Sequence, residues 1–165
     1  MKAITLWQPW ASLIMIGAKP WEFRGWSYVE RRVGVAVNDC IGIHAGARPI
    51  KPAEVDDLRR RLDDPICSTG LVPDKARALL DRLAAAHKCR GVLEMSALLG
   101  TVRIGEPKLS VDAMPSWKGI IGDSDRLEHC KWAWPMLDVE PFDAPIPMKG
   151  WQGFFNVPDR LVEAA

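Results

Sequence analysis

The sequence predicts an α+β fold in which two strand-rich ends enclose a helical middle. Segments rich in β-forming residues fall within residues 3–45 and again within residues 91–157, whereas the stretch between them carries helical spacing. Tryptophan follows the same division, because four of the eight tryptophans lie at each end and none lies in residues 27–116. We therefore expect one domain across residues 1–165, with a helical insertion at about 51–90.

The overall composition is that of a globular protein with almost no net charge. The 165 residues are 48% hydrophobic and carry a formal net charge of +1, which excludes disordered, collagen-like and membrane-bundle classes. No stretch reaches the ~18 apolar residues that a membrane-spanning helix needs. A protein that holds long duplex DNA by charge alone is usually far more basic. Residues 1–50 carry six basic and three acidic groups, which leaves room for a local basic patch.

The N-terminal end predicts alternating strands and one short helix. Residues 3–7 are typical of a strand that ends at a Gln-Pro pair, and a helix of about two turns follows, with Gly17 as its C-terminal cap. Residues 21–24 alternate aromatic and charged side chains, which indicates a strand. Residues 31–37 and 41–45 are predicted as further strands, separated by a turn.

The remaining elements are two helices followed by a second set of strands. Helices are predicted to begin at Pro52 and at Pro73, and the second has an apolar face and ends in basic residues. A loop is expected over residues 110–128. Strands are predicted on both sides of this loop, at residues 91–95, 98–104, 131–134, 141–147 and 150–157.

The strongest chemical constellation lies in residues 17–24. It brings together the amine of Lys19, the carboxylate of Glu22 and the guanidinium of Arg24 at a junction between helix and strand. Glu22 and Arg24 share one strand face, about 6–7 Å apart along the strand. Such a cluster can hold a phosphate or a polar base edge, or can activate water with Glu22 as the base. The alternative is a half-exposed salt bridge that ties the strand to the helix end.

Residues 6–14, followed by the pattern G-x-K-x-x-E-x-R at residues 17–24, resemble the ASCH (activating signal cointegrator homology) family. Three further segments match in order: residues 43–45, residues 98–102, and residues 132–154. The resemblance covers residues 1–48 and 91–157 and skips the helical stretch.

This resemblance implies a PUA-like mixed β-barrel (a pseudobarrel) with flanking helices and a cleft beside the motif. It also implies binding of RNA, single-stranded nucleic acid or a modified nucleoside. The alternative that it implies is a small hydrolase, either an amidohydrolase acting on N4-acetylcytidine or a ribonuclease, with Lys19 and Glu22 as the acid/base pair. Lys19 and Arg24 match positions that the amidohydrolases share, but Glu22 stands where those enzymes have a catalytic threonine. Glu94 is only a distant candidate for their second catalytic group.

Other residues are predicted to contact the ligand. Trp132 and Trp134 alternate with a lysine and share one strand face, so they either fill the barrel core or offer a stacking platform for a base. Trp10 lies beside the motif, and Gln8 has an amide suited to a base edge. Ser12 and Lys149 are weaker candidates, and His44 is more typical of a packed core histidine.

The sequence predicts neither a metal site nor a cofactor. The four cysteines form no C-x-x-C pair, and we expect free thiols in a reducing cytoplasm. Residues 3–18 are uncharged, but a Gln-Pro pair interrupts them and no cleavage site follows, so they do not fit a signal peptide. Residues 51–90 remain open as a lid, a protein-partner site or neither.

Overall fold

The computed structural model describes residues 1–64, 69–113, 127–158 and 161. Its strands are β1 (Lys2–Leu6), β2 (Trp21–Arg24), β3 (Cys40–Ala45), β4 (Ala97–Ile104), β5 (Lys108–Leu109), β6 (Trp132–Pro147) and β7 (Phe154–Asn156). Its helices are α1 (Trp10–Met15), α2 (Pro52–Arg61), α3 (Pro73–Ala85) and the one-turn α4 (Ser110–Ala113), with short 3₁₀ turns at His87–Cys89 and Leu127–His129.

A curled mixed sheet forms the body of the protein. Its strands follow the order β2-β6-β4-β3-β1-β7, and β5 pairs with β6 beside β2. The β1–β3 pair is parallel, and the other pairs are antiparallel. Strand β6 is 16 residues long and pairs with β2 near its start and with β4 farther along, so it connects the two ends of the chain. This architecture confirms the predicted α+β, barrel-like class.

The core of the sheet joins tryptophans and other apolar residues from both ends of the chain. Trp134 is fully buried, and its ring packs edge-on against Trp26 at 4.9 Å and Tyr28 at 5.2 Å between centroids. Phe154 lies beside Trp134 at 5.9 Å. The two Trp-rich ends therefore meet in one core, as the sequence suggested. Trp117 lies outside the described residues.

The helical insertion packs against α1. The apolar sides of α2 and α3 form a second cluster that includes Leu13 of α1 and Ala18 just beyond it. Leu58, Leu80 and Leu83 are almost fully buried there, which is the apolar face that the spacing predicted. The basic run of α2 points mainly to solvent, although Arg61 is largely covered. A protein-partner role for residues 51–90 stays a prediction.

Two of the predicted strands are wrong. Residues 31–37 form turns, because Arg32 and Gly34 have positive φ angles of 50° and 75°, which a strand does not accommodate. Residues 91–95 are irregular, and their first residue, Gly91, and the following Ser96 have φ angles of 70° and 51°. The last strand is shorter than predicted and begins at Phe154, directly after Gly153 with φ 73°.

The loop predicted over residues 110–128 is largely outside the described residues. Within the described part, Ser110–Ala113 forms a helical turn instead of loop, and the prediction for residues 114–126 lies outside it.

Candidate functional site

The turn after α1 determines where Lys19 lies. Helix α1 is followed by a turn at Gly17, whose φ of 66° suits glycine, and the backbone N–H groups of Ala18 and Lys19 both donate to the Leu13 carbonyl. This turn directs the Lys19 side chain back into the protein, where only 1% of the residue is exposed.

Aromatic rings and one carbonyl surround the Lys19 ammonium. Its Nζ lies 5.6 Å from the centroid of the Trp10 ring and 5.3 Å from that of Phe23. The same Nζ donates a hydrogen bond to the Trp21 carbonyl at 2.5 Å. One ring from α1 and one from the motif strand therefore enclose the lysine, and Trp21 contributes its backbone carbonyl.

Glu22 lies between two cations. Its Oε2 is 3.0 Å from Lys19 Nζ, and its Oε1 is 2.8 Å from Arg24 Nε, while the Glu22 side chain is 6% exposed. Within the described residues, Glu22 Oε2 and Arg24 Nε lack a hydrogen bond of good geometry. These contacts are therefore chiefly ion pairs, whose energy depends on charge and distance.

The two cations keep Glu22 ionised. Burial raises the pKa of Glu22, but the charges of Lys19 and then Arg24, which also contact its carboxylate, outweigh this effect. The net result is a pKa below the ordinary value of 4.5. At neutral pH the cluster consists of two cations and one anion, with an excess of one positive charge.

Arg24 is the member of the cluster that reaches solvent. Its side chain is 32% exposed, and among the described residues its only ion pair is the one that Nε makes with Glu22. The guanidinium carbon lies 5.9 Å from the centroid of Trp134. The terminal Nη groups are thus the donors that this cluster can offer to a ligand.

Strand pairing places both predicted stacking tryptophans beside the cluster. Arg24 is opposite Trp132, and Glu22 is opposite Trp134. Trp132 is half-buried, whereas Trp134 is fully buried in the core. Of the two rings, only Trp132 has surface left for a base.

Gln8 and Ser12 bond to each other inside the protein. Gln8 is 1% exposed, its Nε2 donates to Ser12 Oγ and to the Glu94 carbonyl, both at 2.8 Å, and its Oε1 accepts from the Ser12 N–H at 3.1 Å. The Gln8 amide is thereby occupied, and its effect is to fix the segment between β1 and α1. The Glu94 side chain is exposed, and only its backbone carbonyl takes part in these bonds.

The structure does not bring Lys149 to the cluster. Lys149 is exposed just beyond β6, at the opposite end of that strand from Trp132. His44 is buried near this end, where its Nε2 lies 3.0 Å from the Met148 carbonyl and its Nδ1 lies 3.3 Å from Thr5 Oγ1. His44 is therefore a packed histidine, as its position in a β-rich run indicated.

Sequence reasoning did not identify an Arg–Trp pair at the end of β1. Arg48 lies 4.0 Å from the centroid of Trp7, which is 54% exposed, and Arg48 is itself held by Glu54. Nothing in the sequence spacing indicates that Arg48 and Trp7 meet. Their contact depends on the parallel pairing of β1 with β3, which aligns Leu6 with Ala45.

The two described cavities lie away from the motif. One, of about 370 Å³, lies between α2 and α3, and the other, of about 520 Å³, is an open hollow along the turns at residues 29–39. Neither is lined by Lys19, Glu22 or Arg24.

Comparison with solved structures identifies the fold. A crystal structure described as ASCH from Zymomonas mobilis matches 98% of this chain and 90% of its own, with a TM-score of 0.50 and 14% identity. This chain has the ASCH fold. No protein-family model and no curated protein sequence matches it. The ASCH resemblance drawn from the sequence is thus confirmed in three dimensions, and the low identity restricts that confirmation to the fold.

The described residues contain no metal-ligand cluster and no membrane-length apolar helix. No group of three or more His, Cys, Asp or Glu side chains gathers among them in a way that would hold a metal ion. None of their helices is both long and apolar enough to cross a bilayer.

Proposed function

We propose that this ASCH-fold protein binds RNA or a modified nucleoside at a surface centred on Arg24. The observation that carries the proposal is the Lys19–Glu22–Arg24 cluster. Buried Lys19 fixes Glu22, and Glu22 holds the Nε of Arg24, whose side chain is partly exposed and whose terminal Nη donors are not used in this ion pair. A guanidinium fixed in this way suits a phosphate or the paired acceptors of a base edge.

The same geometry favours binding over acid/base catalysis. A carboxylate whose pKa is lowered is a weak base, and Glu22 has its pKa lowered by two adjacent cations. Lys19 is 1% exposed and enclosed by Trp10 and Phe23, so a substrate has little access to its ammonium. The hydrolase alternative requires these two residues to exchange protons with a substrate, and no contact of the cluster supports that role.

The neighbourhood of Arg24 supplies an aromatic surface as well as charge. Trp132 lies opposite Arg24 across the β2–β6 pair and keeps part of its ring accessible. Single-stranded or flipped-out bases are generally recognised by stacking combined with hydrogen bonds to their edges. The ASCH fold agrees with this proposal, because the resemblance of the motif to the ASCH family implies nucleic-acid or nucleoside ligands.

A binding assay tests the proposal directly. We expect fluorescence anisotropy to show saturable binding of short single-stranded RNA, and Arg24→Ala to weaken it about tenfold or more, as expected for loss of a charge-assisted contact. Arg103→Ala is the matched control, since Arg103 is also a partly exposed strand arginine paired with a carboxylate, Asp138. The salt dependence should be modest, because few cations converge.

Two outcomes would contradict the proposal. One is absence of binding to RNA and to modified nucleosides by the unaltered protein. The other is equal weakening by Arg24→Ala and Arg103→Ala. Incubation with N4-acetylcytidine and with RNA, monitored by chromatography, tests the hydrolase alternative; turnover that Lys19→Ala abolishes would establish that alternative instead.

A further inference from the structure

We propose that Trp7 and Trp151 form a second ligand surface, a stacking platform for two bases of a single-stranded RNA. This inference rests on the proposed function and extends it to a place away from Arg24. Of the seven tryptophans among the described residues, these two are the most exposed, at 54% and 53%. Tryptophan is enriched at binding interfaces, where its ring offers a surface for stacking.

The pairing of β1 with β7 places the two rings at the same end of the sheet. Ile4 is opposite Phe154 in this antiparallel pair, so Trp7 and Trp151 each lie three residues beyond that pair, in the same direction. Packing confirms their proximity to one set of residues. A Cβ added at Gly46 would lie 3.3 Å from Thr5 Cγ2 and 3.4 Å from Trp7 Cδ1, and a Cβ added at Gly150, the residue before Trp151, would lie 2.6 Å from Thr5 Oγ1.

Trp7 is held rigidly with one face already covered. The Arg48 guanidinium lies 4.0 Å from its ring centroid and is fixed there by two hydrogen bonds to Glu54, at 2.5 and 3.2 Å. The next residue, Gln8, is anchored by its three internal hydrogen bonds. Arg48 is consequently a positioning residue, and the remaining exposed face of Trp7 is a fixed surface on which a base can stack at little entropic cost.

Trp151 is supported in a comparable way. Its ring lies 5.4 Å from Phe155, whose ring in turn lies 5.7 Å from buried His44. Gly150 is required here, because a Cβ at this position would lie 2.6 Å from Thr5 Oγ1 and would collide with the His44 ring. The chain that carries Trp151 is thus pressed onto the sheet, and the ring is directed outward.

The charges around the platform favour a nucleic acid. Lys149 is exposed two residues before Trp151, and Lys51 is exposed three residues after Arg48, whose guanidinium lies over the Trp7 ring. The carboxylate of Glu54 is neutralised by Arg48. Cations next to stacking rings are the combination found where proteins bind single strands without reading the sequence. The structure therefore assigns the rings to bases and the lysines to phosphates.

Substitution of the rings tests the platform, with anisotropy of fluorescein-labelled oligouridylate and oligoadenylate as the measurement. Trp7→Ala and Trp151→Ala should each weaken binding of both oligonucleotides by about 5- to 150-fold, the range for loss of one stacked base. Trp7→Phe should retain most of the affinity. Arg48→Ala should also weaken binding, because Arg48 positions the Trp7 ring. Arg31→Ala is its matched control, since Arg31 lies 4.5 Å from the ring of Trp26, which packs against the core.

The outcomes separate this inference from the proposed function. RNA binding that needs Arg24 but is unchanged in Trp7→Ala and Trp151→Ala would overturn the platform and leave the proposed function intact. Binding that needs both tryptophans but not Arg24 would support the platform and refute the site at Arg24. If the unaltered protein binds no RNA, the platform fails, and if it also binds no modified nucleoside, the proposed function fails with it. A dimer in sedimentation that Trp7→Ala dissociates, without RNA binding, would assign this surface to self-association and overturn the inference.

Discussion

Replacing Lys19 by methionine should strongly destabilise the fold, even though methionine is apolar and close to lysine in length. Lys19 is 1% exposed, and its ammonium lies 3.0 Å from a Glu22 carboxylate that is itself 6% exposed. Methionine can fill the space between Trp10 and Phe23, but it leaves a buried negative charge with Arg24 as its remaining cationic neighbour among the described residues. The penalty therefore comes from Glu22 rather than from lost packing.

The size of this penalty follows from the burial of the pair. Breaking a buried ion pair by removing one partner costs about 3–5 kcal/mol of the free energy of unfolding. Because Arg24 Nε stays 2.8 Å from Glu22 Oε1 and still offsets its charge, we expect a value near the lower limit, about 3 kcal/mol. For a chain of this size that corresponds to a melting temperature lowered by about 6–12 °C.

The pH dependence identifies the cause. In the unaltered protein the pKa of Glu22 is below 4.5, so the stability that it contributes is present above about pH 4.5 and is lost as the pH falls through the folded-state value. Without Lys19, burial is opposed mainly by Arg24, and the pKa of Glu22 should rise. The variant then takes up a proton at higher pH than the unaltered protein, and its stability deficit should shrink on acidification.

Urea unfolding followed by circular dichroism, at about pH 7 and about pH 4.5, measures this deficit. Adding Glu22→Gln to Lys19→Met should recover part of the stability at neutral pH, because it removes the uncompensated charge. Lys75→Met, at an exposed position on α3, is the control. The reasoning is refuted if Lys19→Met matches this control, or if its deficit grows as the pH falls.

Two further predictions concern single side chains outside the motif. Tyr28 is the chain's one tyrosine, and burial, followed by the charges of Asp39 and Glu106, raises its pKa to about 12. Absorbance at alkaline pH should show its ionisation near 12 in the folded protein; stability should be lost as the pH rises from about 10 to 12, and a transition at about 10 without unfolding would contradict this. Gly150→Ala should lower the free energy of unfolding by about 1–3 kcal/mol because its Cβ collides with His44, as thermal melts would show; a variant as stable as the unaltered protein would mean that this backbone moves freely.

The strands that could be predicted are those whose side chains alternate or form short apolar runs bounded by turns. Strands β1, β2 and β3 were found within one residue or two of their predicted bounds, because Gln-Pro and Asn-Asp pairs delimit them. Residues 31–37 were wrongly predicted as a strand because Val33, Val35 and Val37 recur at every second position, as in a strand. Their alternation does not produce a strand, since Arg32 before Val33 and Gly34 after it adopt positive φ angles, which interrupt an extended backbone.

The site could be predicted as a segment but not as a set of exposed atoms. Spacing correctly placed Lys19, Glu22 and Arg24 at one junction, but it left open which of them is accessible. Accessibility depends on the turn at Gly17, which directs Lys19 inward. It also depends on the pairing of β2 with β6, which places buried Trp134 opposite Glu22. The conformation of this turn and the pairing of strands distant in sequence cannot be derived from the local spacing of residues.

Polar residues in the motif segments serve mainly to position their neighbours. The Gln8 amide is hydrogen-bonded to Ser12 and to the Glu94 carbonyl, and its neighbour Trp7 is the exposed group. Lys19 forms an ion pair with Glu22 inside the protein, and Arg24 is the group that reaches solvent. Substituting Gln8 or Lys19 therefore alters folding and ligand binding together, because each lies beneath the surface that it orients. Substituting Trp7 removes an exposed group and leaves the hydrogen bonds of Gln8 in place, so it separates loss of binding from loss of structure. Substituting Arg24 also removes one of the two cations beside buried Glu22, so its effect on binding has to be measured together with its effect on stability.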